Sequence, residues 1–158
     1  MYTEKGTVLI FMLDTDICIY IIKRKPASVL KRLESLKPGQ LAMSAITFAE
    51  LMNGAKKSQH VEANLAKLNA LGELLDIRPF DKKAAVSYGD VRSSLEKKRE
   101  TIGGNDLLIA AIALANNLIL ITHNVSEFSR VIGLTVEHTK IFPGHGELKI
   151  GFWDFFEI

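Results

Sequence analysis

Asp14, Asp16, Glu50, Asp106 and Asn124 are the residues of this chain whose types and settings point to chemistry. Asp14 closes the apolar run Val8-Leu9-Ile10-Phe11-Met12-Leu13 and opens the short sequence Asp14-Thr15-Asp16. A strand that delivers a carboxylate to the edge of a sheet is a common beginning for phosphate chemistry on a metal ion. Three later segments bring more oxygen donors: Glu50 after Leu41-Ala42-Met43, Asp106 after Gly103-Gly104, and Thr122-His123-Asn124 after the apolar run from Leu118 to Ile121. Carboxylate and amide oxygens suit hard cations such as Mg²⁺ or Mn²⁺. His123 has no partner histidine or cysteine at a metal-site spacing, which argues against zinc.

For these residues to meet, the chain must carry them on alternating strands and helices. The run from Val8 reads as a strand, and Leu41-Ala42-Met43 as a second. Helical periodicity predicts helices over Ile17 to Ile22, from Pro26 to Leu36, from Ile46 to Ala55, and from about Gln59 to Leu71. Leu75 to Phe80 reads as a strand that Pro79 pushes toward an edge. Asp81 caps a long helix carrying Ala84, Tyr88, Val91 and Leu95 on one face. Asn105 is placed to cap the next helix, from Leu107 to Ala115, which is apolar all round and therefore buried. Asn116-Asn117 ends it, and Leu118 to Ile121 is a further strand. The pattern is α/β with a mostly parallel central sheet flanked by helices. In such units the carboxyl ends of strands and the amino ends of the following helices share one edge, where all the oxygen donors fall.

Each donor also has a purely structural use. Asp14 and Asp16 can each cap the helix that follows, and Thr47-Phe48-Ala49-Glu50 fits a capping box. Asp106 can answer a helix dipole, and Asn124 can serve a turn. The functional reading rests on their joint occurrence at matching positions of the topology.

Composition narrows the class. The 158 residues suffice for one domain with a core, and 47% hydrophobic with 24% charged residues describes an ordinary globular protein. A net charge of +2 does not by itself mark a nucleic-acid binder. Lys23-Arg24-Lys25, Lys56-Lys57 and Lys97-Lys98-Arg99 are local basic groups suited to a polyanion or to a solvated face. The single cysteine, Cys18, precludes an intramolecular disulfide, and its apolar neighbours suit a buried thiol. No apolar run approaches a membrane span and no secretory pattern opens the chain, so a cytoplasmic protein is expected.

Four segments carry a family resemblance. The stretches from Phe11 to Cys18, Ser44 to Leu51, Ile102 to Ala110 and Thr122 to Val131 resemble, in order and spacing, the successive motifs of VapC-type PIN-domain toxins. The resemblance implies a PIN-like fold and a metal-dependent endoribonuclease that cleaves structured RNA such as tRNA, as the toxin of a type II toxin–antitoxin system. Cleavage by in-line attack of a metal-activated water would leave a 5′-phosphate. Carried over by position, Asp14 and Asp106 are expected to hold Mg²⁺ (or Mn²⁺) directly, with Glu50 and Asn124 completing the site, in part through water. Asp16 stands where the family commonly has asparagine, which leaves its role open. The resemblance further implies a cognate VapB-type antitoxin, a homodimer within a larger toxin–antitoxin complex, and operator DNA bound only through the antitoxin. Residues 8–138 would form the PIN domain, with an N-terminal extension, 1–7, and a C-terminal extension, 139–158. That last segment, whose final seven residues hold three of the eight phenylalanines and the only tryptophan, suits either an added strand or tail, or a contact surface.

Two alternatives remain at this level. A haloacid-dehalogenase-type phosphatase also opens on an apolar strand ending in Asp-x-Asp, with Asp14 then a covalent nucleophile, but it leaves Glu50 and the Thr122 segment without a task. A PIN-like module that binds RNA or protein without cutting is the other.

Overall fold

Every second residue of the central strands faces the same way, and that alternation builds two cores. The computed structural model describes residues 8–24 and 27–138, so the expected extensions 1–7 and 139–158 lie outside the described residues. Strand β1 (Phe11–Leu13) leads to helices α1 (Thr15–Lys23) and α2 (Ala27–Glu34), then to β2 (Leu41–Ser44). Helices α3 (Ala45–Lys56) and α4 (Val61–Leu74) precede β3 (Asp76–Arg78), and α5 (Lys82–Lys98) and α6 (Gly104–Ala115) precede β4 (Ile119–Thr122). A short helix α7 (Val125–Phe128) and strand β5 (Val136–His138) complete the described chain.

The sheet order is β3-β2-β1-β4-β5, and all four pairings are parallel. β1 is the central strand, with Phe11 beside Leu41 on one flank and Ile119 on the other. Phe11, Leu13, Leu41, Met43 and Ile121 point into a core closed by α1 to α4, where Ile17, Ile21, Leu33, Leu68 and Leu71 meet them. Met12, Ala42 and Leu120 point the other way, onto Val91 and Leu95 of α5 and the apolar helix α6. The stretch from Ile109 to Ala113 is entirely shielded from solvent, as its all-round apolar pattern requires. Among the described residues no helix is long and apolar enough to cross a membrane.

Several boundaries differ from the sequence expectation. The first strand spans Phe11–Leu13, and Val8 makes no more than an isolated bridge. The helix expected from Gln59 to Leu71 runs Val61–Leu74, and a further strand, Val136–His138, follows the last one expected. β3 stops at Arg78 because Pro79 lacks the N–H that the ladder needs. Asp81 does cap α5, accepting the Ala84 N–H at 3.0 Å, and Asn117 turns left-handed at φ 54° to end α6.

The chain order moves from β1 outward through β2 to β3, then returns to the other side of β1 with β4. This reversal opens a crevice between β1 and β4 at their carboxyl ends, the usual place for a ligand in an open parallel sheet. Leu120, fully buried in the strand that borders the crevice, tests the frame. Leu120→Ala is expected to cost about 2–5 kcal/mol in urea unfolding with an unchanged denaturant slope. A loss under about 1 kcal/mol would contradict the packing.

Candidate active site

Asp14 leaves β1 at the crevice, and the backbone continues the ladder by one bond, from the Asp14 N–H to the Ile121 carbonyl at 2.9 Å. Its side chain caps α1 by accepting from the Thr15 N–H at 2.8 Å, which explains why the helix begins there and not at Ile17. The other carboxylate oxygen accepts the Thr122 hydroxyl at 2.7 Å. Thr122 itself accepts the Asn124 N–H at 2.9 Å, so the direction of its proton toward Asp14 is fixed. Asp14 is only 5% exposed, and burial raises its pKa above the ordinary carboxylate value although these hydrogen bonds oppose the rise.

Glu50 reaches the same edge from α3. The capping box expected at Thr47 does not form, because Ser44 caps α3 instead, accepting the Thr47 N–H at 3.0 Å. That frees Glu50, three residues into the helix from Thr47, to point away from the helix start. Its carboxylate accepts the Thr15 hydroxyl at 3.2 Å, and Thr15 lies 3.1 Å from the Thr47 hydroxyl. With the Thr15 proton on Glu50, Thr47 is the donor to Thr15, and the two threonines bind α1 to α3 behind the acid.

Asp106 sits in the first turn of α6. Asn105 does not cap this helix; Gly103 stands at the cap position, its carbonyl accepting the Leu107 N–H at 2.9 Å. The Asp106 carboxyl is pushed up to about 7, first by burial, then by a hydrogen bond shared with Glu127, then by the negative charges of Asp14, Glu127 and Glu50. Asn124 donates its side-chain N–H to Asp106 at 3.4 Å. This use explains why Asn124 stands at the start of α7 without a side-chain capping bond.

The edge thus brings Asp14, Glu50, Asp106 and Asn124 around one space. Asp16 belongs to its margin: one oxygen accepts the Ile17 N–H at 2.8 Å and the other the His123 N–H at 3.2 Å. Burial, and next the charge of Asp14, push its carboxyl up to about 6. Asp16 therefore ties α1 to the loop after β4, a fixed brace that leaves the mobile nucleophile and acid roles of a phosphatase without a counterpart.

Sequence pattern assigns Thr15, Thr47 and Glu127 no role at this edge, and Thr122 only a place in the Thr122-His123-Asn124 segment. The Glu127 carboxyl is held below the usual range, chiefly by its interaction with Asp106 and further by the Gly103 backbone, Asn124 and the charge of Arg130. Its position three residues after Asn124 was the available signal, since that spacing puts both on one helix face. Thr122 was signalled by a hydroxyl closing a buried strand. Nothing local marks Thr15 and Thr47.

A cation suits this arrangement chemically. The donors are oxygens, the acids raise one another's proton affinity, and among the described residues no lysine or arginine forms an ion pair with Asp14, Glu50 or Asp106. The side chains nevertheless stand apart, and among the described residues no three His, Cys, Asp or Glu side chains close on a common point as a metal cage would. Water would have to complete the shell, as hard divalent ions usually require.

Comparison with known proteins follows the same residues. A family model for the PIN domain matches residues 11–134. Ribonuclease VapC2 of Rickettsia felis is 44% identical over 131 residues, which are 82% of this chain and 98% of the relative. The chain belongs to the PIN-domain family, in its VapC branch. A tRNA(fMet)-specific endonuclease VapC of Shigella flexneri is 42% identical over 130 residues, again 82% of this chain and 98% of that one. In three dimensions the PIN fold aligns with the crystal structure of VapBC2 from Rickettsia felis bound to a promoter DNA fragment, at TM-score 0.76 and 41% identity over 82% of this chain and 98% of the other. The five-stranded parallel sheet is the architecture that the VapC resemblance implied. PIN membership also removes the haloacid-dehalogenase alternative.

The acid cluster has a consequence for stability without cations. A folded-state pKa raised above the unfolded value near 3.8 contributes stability that is complete below that value and lost as pH rises through about 7. In chelator, the melting temperature is expected to fall from about pH 5 to about pH 8. Asp106→Asn should flatten that fall, and an equal slope in the variant would remove Asp106 as its source.

Proposed function

We propose that this chain is the toxin of a type II toxin–antitoxin module and acts as a metal-dependent endoribonuclease on structured RNA, with tRNA the favoured substrate. The observation that carries the catalytic part is the convergence of Asp14, Glu50, Asp106 and Asn124 on the crevice between β1 and β4, each on a different segment. The relatives named as VapC ribonucleases, one of them specific for tRNA(fMet), support the substrate class. The VapBC complex on promoter DNA supports a VapB-type antitoxin as partner, with operator DNA reached through the antitoxin. A homodimer within that complex and a cytoplasmic setting complete the reading.

Asp14 and Asp106 are assigned to hold Mg²⁺ or Mn²⁺, with Glu50, Asn124 and Glu127 around them. The ion when bound lowers the pKa of a water and neutralises charge developing on the scissile phosphate. The protein's own part is to hold the donors in place. Asp14 is fixed at both oxygens by Thr15 and Thr122, so it presents its remaining lone pairs without rearrangement. Thr15 fixes Glu50 in the same manner. Asn124 steadies Asp106 by donating its side-chain N–H to the carboxylate. A covalent route through Cys18 is closed, because complete burial drives its thiol far above the ordinary pKa. In-line attack by water on the phosphodiester is the chemistry left to this set.

Incubation of the purified protein with total cellular RNA and Mg²⁺, followed by mapping of new 5′ ends, is expected to reveal a small number of discrete cuts that chelation abolishes. Asp106→Asn should lower the rate by about two orders of magnitude or more, since it removes a charge that the reacting centre depends on. Glu127→Gln should cost about 10–100-fold, the usual effect of a residue that supports a ligand. Cleavage that persists in chelator would sink the metal mechanism. RNA binding without any cleavage would favour a non-catalytic module instead.

A further inference from the structure

His123 and His138 form a feature that the acid cluster does not use. Their ring centroids lie 5.6 Å apart with the planes tilted by only 30°, and both residues are exposed. Tyr20 of α1 supports the pair from the side, its ring edge-on to His123 at 6.4 Å and 81°. The backbone below is rigid: the His123 N–H is held by Asp16, and β5 places His138 beside Thr122 in register. Thr122 is the residue whose hydroxyl holds Asp14, so His138 stands about one strand spacing, ~4.8 Å, from the acid cluster's own support.

No structural task accounts for the pair. Among the described residues neither imidazole hydrogen-bonds to another side chain, and Asp16, His123 and His138 do not close on a metal position. Burial does not explain two aromatic faces left in water at the mouth of a site. Flat, exposed, polar-edged rings are what unpaired nucleotide bases stack upon. The end of α1 adds the complementary charge, since Lys23 follows Tyr20 by three residues on the helix and Arg24 closes it at the left-handed C-cap, both exposed.

The geometry points to His123 and His138 as a stacking platform that seats one unpaired RNA base beside the carboxylates, with Tyr20 as its buttress and Lys23 and Arg24 along the adjoining phosphates. This deepens the ribonuclease reading and rests on it for the identity of the ligand as RNA. The gap between the rings is too small for a base to slide between them, because two stacking distances need about 7 Å. The base therefore lies on the outer face of the pair. A platform of this kind favours purines over pyrimidines through stacking area and reads no hydrogen-bond pattern.

The test measures binding of short labelled oligoriboadenylate and oligoribouridylate in the Asp106→Asn background and in chelator, which together keep the RNA intact. Oligoriboadenylate is expected to bind more tightly, and His138→Ala should weaken it about tenfold and erase the preference. His138→Phe should restore both, and the salt dependence of binding should be the same in all three proteins. Unaltered affinity in His138→Ala overturns the platform, as does rescue by His138→Lys with a changed salt slope, which would mark a phosphate contact. In the cleaving protein, His138→Ala should raise KM by a similar factor without a matching fall in kcat, and a pure loss of kcat also overturns it. Failure of the ribonuclease reading is distinct: the protein would cut no RNA, whatever His138 does to binding.

Discussion

A carboxylate placed at the end of a central, doubly buried strand must be compensated or it will not ionise. Asp14 is in that position, and the Thr122 hydroxyl compensates it across 108 residues of sequence. The bond draws its geometry from the parallel pairing of β1 with β4, and the Asn124 N–H sets its polarity. The crevice, the start of α1 and the loop before α7 all take their positions from this contact. Remove it and Asp14 would lose its orientation while β4 lost its register mark at the edge.

Around it the protein accumulates charge of one sign. Asp16, Asp106 and Asp14 are all raised above the ordinary carboxylate range, and burial is the first cause in each. Such a group of acids is costly to the fold and useful to a phosphate-processing site, which needs negative charge where a cation is to be held. The threonines offset part of the cost. They are small, they donate one directed proton each, and they add no charge of their own to the edge.

Much of this was legible in the sequence because it follows from local pattern. The alternation of apolar runs with helical periods specifies a parallel sheet, and the carboxyl-end rule then gathers Asp14, Glu50, Asp106 and Asn124 at one edge. The cap at Asp81 and the stop at Asn117 were equally local. What sequence could not decide was competition between equivalent groups. Ser44 and Thr47 both satisfy a helix cap, and only the path from β2 into α3 selects Ser44. Thr15 meets Glu50 and Thr47 over 35 and 32 residues through helix packing, and no periodicity reports such a contact. Glu127 shared the obscurity, since an acid in the first turn of a helix ordinarily answers the dipole.

The long separation between Asp14 and Thr122 also bears on synthesis. β1 precedes one of its two neighbours, β4, in the chain by the whole stretch that carries β2, β3 and the helices between them. Until β4 pairs, the central strand is paired on one side only, and the crevice has a single wall. Contacts this distant in sequence form late, so an interrupted or incomplete chain carries its acids without the wall that orients them. The orientation of Asp14 by Thr122 therefore exists only once β4 has paired with β1.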